Sequence, residues 1–213
     1  MDKRLIVLLF ALISGMAANA QDDNKPFIKK YLLRTQGNLS LGYMTKQKIV
    51  PAYIGGDFDF FFDEKVSFYG EGSFFITATS DEVGYKMKHN HAILSGINIH
   101  LTSQKRFDPY IGINPGIMFS QFGPVGDVNI GLYNPPFTQN TKLGVSPIFS
   151  TAVGFNYYVG SIFNFFVRVR YIQGQFFGTS MERIPLSEFR FSAGLGWNWG
   201  FIQKAVTKYV DKR

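Results

Sequence analysis

Six charged residues recur at strand-like spacing and pose the chemical question. Asp57 and Asp59 stand two apart, as do Arg168 and Arg170, while Glu71 and Arg190 sit singly inside alternating stretches. Residues two apart on a strand share a face, so each pair projects from one side. If that face looks into a narrow interior, acids and bases are close enough to pair, and any left unpaired would be very costly. The reading is a polar network, with Glu71 paired to at least one of the arginines. A gate over a small pore is the sharper alternative. Three histidines complete the inventory. His89 and His91 flank Asn90 and share one side of a strand at an external rim, where two imidazoles bind a metal weakly and a solvated pair is the plainer reading. His100 is expected inward at the other end. None of the three has a serine at a persuasive strand spacing, which speaks against Ser–His hydrolysis. Calcium-loop, phosphate-loop and zinc-type motifs are absent, so no metal or cofactor is expected.

These residues need strands to position them, and the stretch 187–200, SEFRFSAGLGWNWG, shows how. Phe189, Phe191, Ala193, Leu195, Trp197 and Trp199 fall on one parity; Arg190, Ser192, Gly194, Gly196 and Asn198 fall on the other. That period of two belongs to a strand and not to a helix. The same alternation marks seven earlier strands near 37–44, 52–62, 66–77, 93–101, 109–119, 147–159 and 163–171. Pro115 lies inside the fifth and cannot donate to a ladder, so a bulge or an early strand end is expected there. Turns after the second, fourth and sixth strands are short, and so, as the one exception to the alternation, is the connection after the first. Connections after the third, fifth and seventh are long, above all Ser120 to Val145 with its Asn134-Pro135-Pro136.

Composition narrows the setting. The chain has 213 residues, no cysteine, 23 Phe and a formal net charge of +7. It starts with Lys3 and Arg4, an apolar centre from Leu5 to Met16, and Ala18-Asn19-Ala20, the pattern of a cleaved signal peptide over residues 1–20. Removing Asp2, Lys3 and Arg4 takes 22 basic and 15 acidic residues to 20 and 14, a net +6. Residues 21–36 read as a periplasmic lead-in, in which Pro26 to Arg34 has the spacing of a short interfacial helix, an ordinary approach to the first strand being the equal alternative. Residues 37–200 hold the strands. Residues 201–213 place Lys204, Lys208 and Lys212 four apart beside an apolar stripe, a basic amphipathic periplasmic tail suited to anionic lipid, with a frayed solvated tail as the alternative. The basic charge is spread over strands and tails, which argues against a nucleic-acid partner.

No later segment is long and apolar enough for a membrane helix, which leaves a closed barrel as the route into a bilayer. The large aromatic parity exceeds what an eight-stranded interior could hold. The Gly, Ser and Asn parity makes a poor solvated surface and a good narrow lumen. Tyr43, Tyr157, Tyr171, Trp197 and Trp199 lie near strand ends, where interfacial girdles belong. The fold class is therefore an all-β, eight-stranded antiparallel up-and-down transmembrane β-barrel.

With Phe107-Asp108-Pro109-Tyr110-Ile111-Gly112 opening a strand and Phe191 to Trp197 closing the barrel, the chain resembles the small eight-stranded outer-membrane β-barrels, the group of OmpA/OmpX-type and PorT-like proteins. The resemblance implies outer-membrane location, a monomeric barrel and varied roles. Many such barrels end on a terminal aromatic, whereas this chain continues past Phe201. The preferred expectation is a non-enzymatic envelope or binding protein with a packed polar lumen, partnered by outer-membrane lipids and by proteins at its loops or tail. An accessory subunit of a secretion or envelope-assembly machine is the alternative, on the PorT-like resemblance. A lipid-modifying enzyme comes third.

Overall fold

The alternation closes on itself. The computed structural model describes residues 27–80, 85–102, 106–124, 141–159, 162–178 and 184–200. Its strands are β1 (Leu33–Met44), β2 (Ile49–Phe61), β3 (Val66–Ser80), β4 (Tyr85–His100), β5 (Phe107–Pro124), β6 (Gly144–Tyr158), β7 (Phe163–Gly174) and β8 (Glu188–Trp199). Each pairs antiparallel with its sequence neighbours, and β8 pairs with β1 to shut the barrel. Stepping from Leu33 through cross-strand partners around the wall returns to β1 at Tyr43, ten residues further along. Such a stagger inclines the strands by about 40° and leaves an interior just wide enough for side chains. Twelve-residue strands at roughly 3.3 Å per residue then rise about 30 Å, enough for the apolar band of a membrane barrel.

The exterior supplies that band. Leu39, Ile54, Phe74, Ile97, Ile113, Val153, Phe165 and Phe191, one from each strand, are all about half exposed or more. A monomer in water seldom shows apolar surface on this scale; in hydrocarbon the same surface needs no cover. The protein is a transmembrane barrel.

Several boundaries differ from the sequence expectation. Strand β1 starts at Leu33, inside the segment read as lead-in, because Arg34 and Gln36 continue its inward parity. No helix forms over the described part of Pro26–Arg34. Residues 27–32 turn instead, with Tyr31 at φ 64° and its amide donating to Phe61 O at 2.8 Å. Pro115 neither bulges nor ends β5, which runs on to Pro124 with Pro115 facing outward. The register shifts fall at Ala52/Tyr53 and at Met87/His89. The stretch expected as a loop from Ser120 to Val145 gives both ends to strands β5 and β6. The signal-peptide residues 1–20 and the tail 201–213 lie outside the described residues.

The lumen is layered. At the end carrying the β2–β3, β4–β5 and β6–β7 turns, opposite the long β5–β6 and β7–β8 connections and so periplasmic in an outer-membrane barrel, Ile28 and Leu32 pack on Phe61 and Tyr158, and Phe27 stacks on Tyr158 with ring centres 5.2 Å apart. At the opposite mouth lies an apolar cluster that includes Met44, Met87, Met118, Phe122 and Ile148. Phe176, Ile184 and Leu186, from the β7–β8 connection, join that cluster, held by the Gln175–Pro185 bridge. The polar network expected throughout therefore occupies the periplasmic and middle layers and gives way to an apolar outer plug.

Candidate functional site in the lumen

The register brings like charges face to face, and the guanidinium groups resolve the conflict. Asp57 is opposite Glu71 across β2–β3, and Arg170 is opposite Arg190 across β7–β8. Directly opposed like charges are destabilising on a sheet. Arg168 reaches across the barrel and donates from Nη2 to Asp57 Oδ2 and from Nη1 to Glu71 Oε2, each at 2.7 Å. Its Nε donates to Tyr110 Oη at 2.9 Å, and its Nη1 also donates to Tyr69 Oη. Arg170 Nη2 lies 2.7 Å from Glu71 Oε2. One arginine thus bridges the two opposed acids, and its neighbour completes the second.

Arg190 turns elsewhere. Its Nε and Nη2 donate to Glu188 Oε1 and Oε2 at 2.8 and 3.1 Å, and Nη1 donates to Ser73 Oγ at 2.8 Å. The Tyr53 ring lies 3.8 Å from its guanidinium carbon, and Tyr53 Oη donates to Glu188 at 3.0 Å. Planar guanidinium suits both the bidentate acid and the ring face.

The third cluster is at the periplasmic end. Arg34 Nη2 donates to Asp59 Oδ2 at 2.7 Å, and Nη1 donates to Tyr158 Oη at 2.6 Å. Ser67 Oγ donates to the other Asp59 oxygen at 2.7 Å. His100 lies inward as expected, with Nε2 3.1 Å from Ser67 Oγ and Nδ1 2.9 Å from Asp108 Oδ2. The structure therefore assembles a serine, a histidine and an acid that sequence spacing did not connect, since they lie on β3, β4 and β5. The Ser67 hydroxyl proton is directed at Asp59, and all three side chains are buried. In this arrangement they brace three strands.

All six charged residues proposed from the sequence line the lumen and are buried. Arg34, Glu188, Asp108, Tyr53, Tyr69, Tyr110 and Tyr158 were missed. Glu188 carried a signal, two residues before Arg190 on the same parity. Arg34 was hidden by the late start assigned to β1.

The interfacial aromatics face outward. Tyr43 and Tyr171 lie toward the outer side, the latter against Phe189 with centroids 4.6 Å apart. Tyr157, Trp197 and Trp199 lie at the periplasmic ends of their strands, and Trp199 Nε1 donates to Thr35 Oγ1 at 2.8 Å. His89 and His91 stack 5.8 Å apart on the outer wall, with His91 Nδ1 accepting from the Phe75 amide at 3.2 Å. Among the described residues no group of three or more metal-ligating side chains forms.

No family model and no curated protein sequence matches the chain. Solved structures do. The outer membrane protein OprG from Pseudomonas aeruginosa superposes at TM-score 0.55 with 12% identity, over 81% of this chain and 97% of its own. Neisserial surface protein A gives 0.53 with 8% identity over 79% and 96%. The N-terminal β-barrel domain of Pseudomonas aeruginosa OprF gives 0.50 with 12% identity over 80% and 98%. At these identities the likeness is one of architecture, and the architecture is that of the small eight-stranded outer-membrane barrels.

Proposed function

We propose that this chain is a non-enzymatic outer-membrane barrel that acts through its outer rim and connections, contacting a surface polymer or partner protein, and not through its lumen. The observation that carries this reading is the double closure of the interior. Ile28 and Leu32 fill one end, the Met-rich cluster with Phe176 and Leu186 fills the other, and paired charges occupy the space between. A lumen packed with side chains offers no aqueous path, so recognition falls to the outward ends of β3 to β6, which rise furthest.

The test uses the absence of native cysteine. Lys142→Cys beside β6 and Lys65→Cys in the β2–β3 turn are both exposed positions at opposite ends. A membrane-impermeant photo-cross-linker attached in whole cells should react at position 142, spare position 65, and capture a defined partner or polymer. Purified barrel in a planar bilayer should pass no large steady current. Steady conductance of porin size, or labelling confined to position 65, would defeat the proposal.

A further inference from the structure

The middle of the wall between β4 and β5 is interrupted at one place. Pairing runs to Leu94–Gly116 and resumes at Ile97–Ile113; the pairs Ser95–Pro115 and Gly96–Asn114 are missing. Pro115 has no N–H to give, so the ladder loses a donor there. Both flanking stretches sit in the exposed apolar band, with Ile93, Ile97, Ile113 and Ile117 facing outward. Backbone polar groups at that depth cannot turn to lipid for hydrogen bonds.

Directly inside this gap are buried polar atoms without partners. Asn114 is fully buried, and neither its Nδ2 nor its Oδ1 is bonded. Its amide lies over Gly96, where a Cβ would come within 2.9 Å of Nδ2. Ser150 is its cross-strand partner on β6 and leaves Oγ unbonded. Three unpartnered polar atoms, on the cross-strand partners Asn114 and Ser150, thus sit together on one part of the lumen wall, which native interiors seldom tolerate.

We propose that Asn114 and Ser150 form an internal hydration site that holds ordered water against the β4–β5 gap. Water suits the group better than an ion does. The charges in this layer already balance, with Arg168, Arg170 and Arg190 set against Asp57, Glu71 and Glu188. An added ion would be uncompensated, whereas a neutral molecule that donates and accepts fits a set containing both roles. Two to four polar partners are what a buried water requires. The site is cut off from both sides by the apolar plugs, so its water exchanges slowly.

The experiment is water–protein cross-relaxation by solution NMR on the folded chain in micelles. Cross-peaks with the sign of long-lived water are expected at the Asn114 side-chain amide and the Gly96 N–H. Asn114→Leu should abolish the peak at Gly96, and the milder Ser150→Ala should weaken both, which keeps the test valid if the leucine variant folds poorly. Absence of cross-peaks at Asn114, or peaks at Gly96 unchanged in both variants, would overturn the site. Chemical-shift changes confined to these groups on adding bromide would also overturn it, in favour of an anion.

Discussion

Arg168 holds two carboxylates that the sheet register forces together, and much of the middle lumen depends on it. Removing one partner of a buried ion pair typically costs about 3–5 kcal/mol, because the other charge stays buried. Glu71→Gln, which leaves Arg168 and Arg170 short of an acid, should destabilise by roughly that amount in urea titrations of the refolded barrel. A cycle with Arg168→Gln should show a coupling of about 1–3 kcal/mol. The cycle of Glu71→Gln with Arg190→Gln should be closer to additive, since Arg190 is held by Glu188. Equal couplings in both cycles would contradict this partition. Outside the membrane, Asp63 accepts from the Lys65 and Val66 amides at 2.6 and 2.8 Å. These bonds hold its carboxyl below the ordinary range. A lowered folded-state value stabilises above the unfolded value of about 4 and is lost as pH falls through the folded one. The stability gap between wild type and Asp63→Ala should therefore be constant from pH 5 to 7 and shrink below pH 4; a gap that widens in acid would refute the turn's role. The charged lumen residues were legible because spacing two apart on a strand needs no tertiary knowledge. Which arginine meets which acid was not, because that is set by stagger around the whole barrel.

At the scale of strands, the closing seam between β1 and β8 depends on close backbone approach. A Cβ on Gly194 would overlap the Gly37 carbonyl oxygen, whereas a Cβ on Gly37 would meet nothing within 4 Å. Gly196 makes room for the inward Asn164 side chain, whereas Gly194 makes room for the β1 main chain itself. Gly194→Ala should cost about 1–3 kcal/mol, the usual range for overpacking, and slow barrel closure, whereas Gly37→Ala should leave urea midpoints nearly unchanged. The reverse ranking would mean that the β1–β8 register is wrong. Strand number and facing were readable from parity alone. Strand ends were not: the inward apolar residues of the outer mouth, Met87, Met118 and Phe122, break the alternation of greasy outside and polar inside. Pro115 misled because a proline on the outward face can remain in a strand that keeps its other ladder, here with Phe149 of β6.

For the molecule as a whole, one pattern accounts for both the membrane belt and the sealed interior. Apolar parity faces lipid along every strand, and polar parity folds inward until the outer mouth, where both faces become apolar and the β7–β8 connection plugs the opening. Residues 27–32, where the sequence offers a short interfacial helix or a plain lead-in to the first strand, form the inner stopper instead. Neither plug could be seen in a strand-by-strand reading, since each joins apolar side chains at strand ends to residues outside the strands. The most direct test of this architecture is gel mobility with and without boiling, on protein extracted by detergent from outer membranes. An intact barrel resists the detergent until heated, so a clear difference in migration is expected. One mobility in both conditions, with the protein recovered in the soluble periplasmic fraction, would contradict a closed transmembrane barrel.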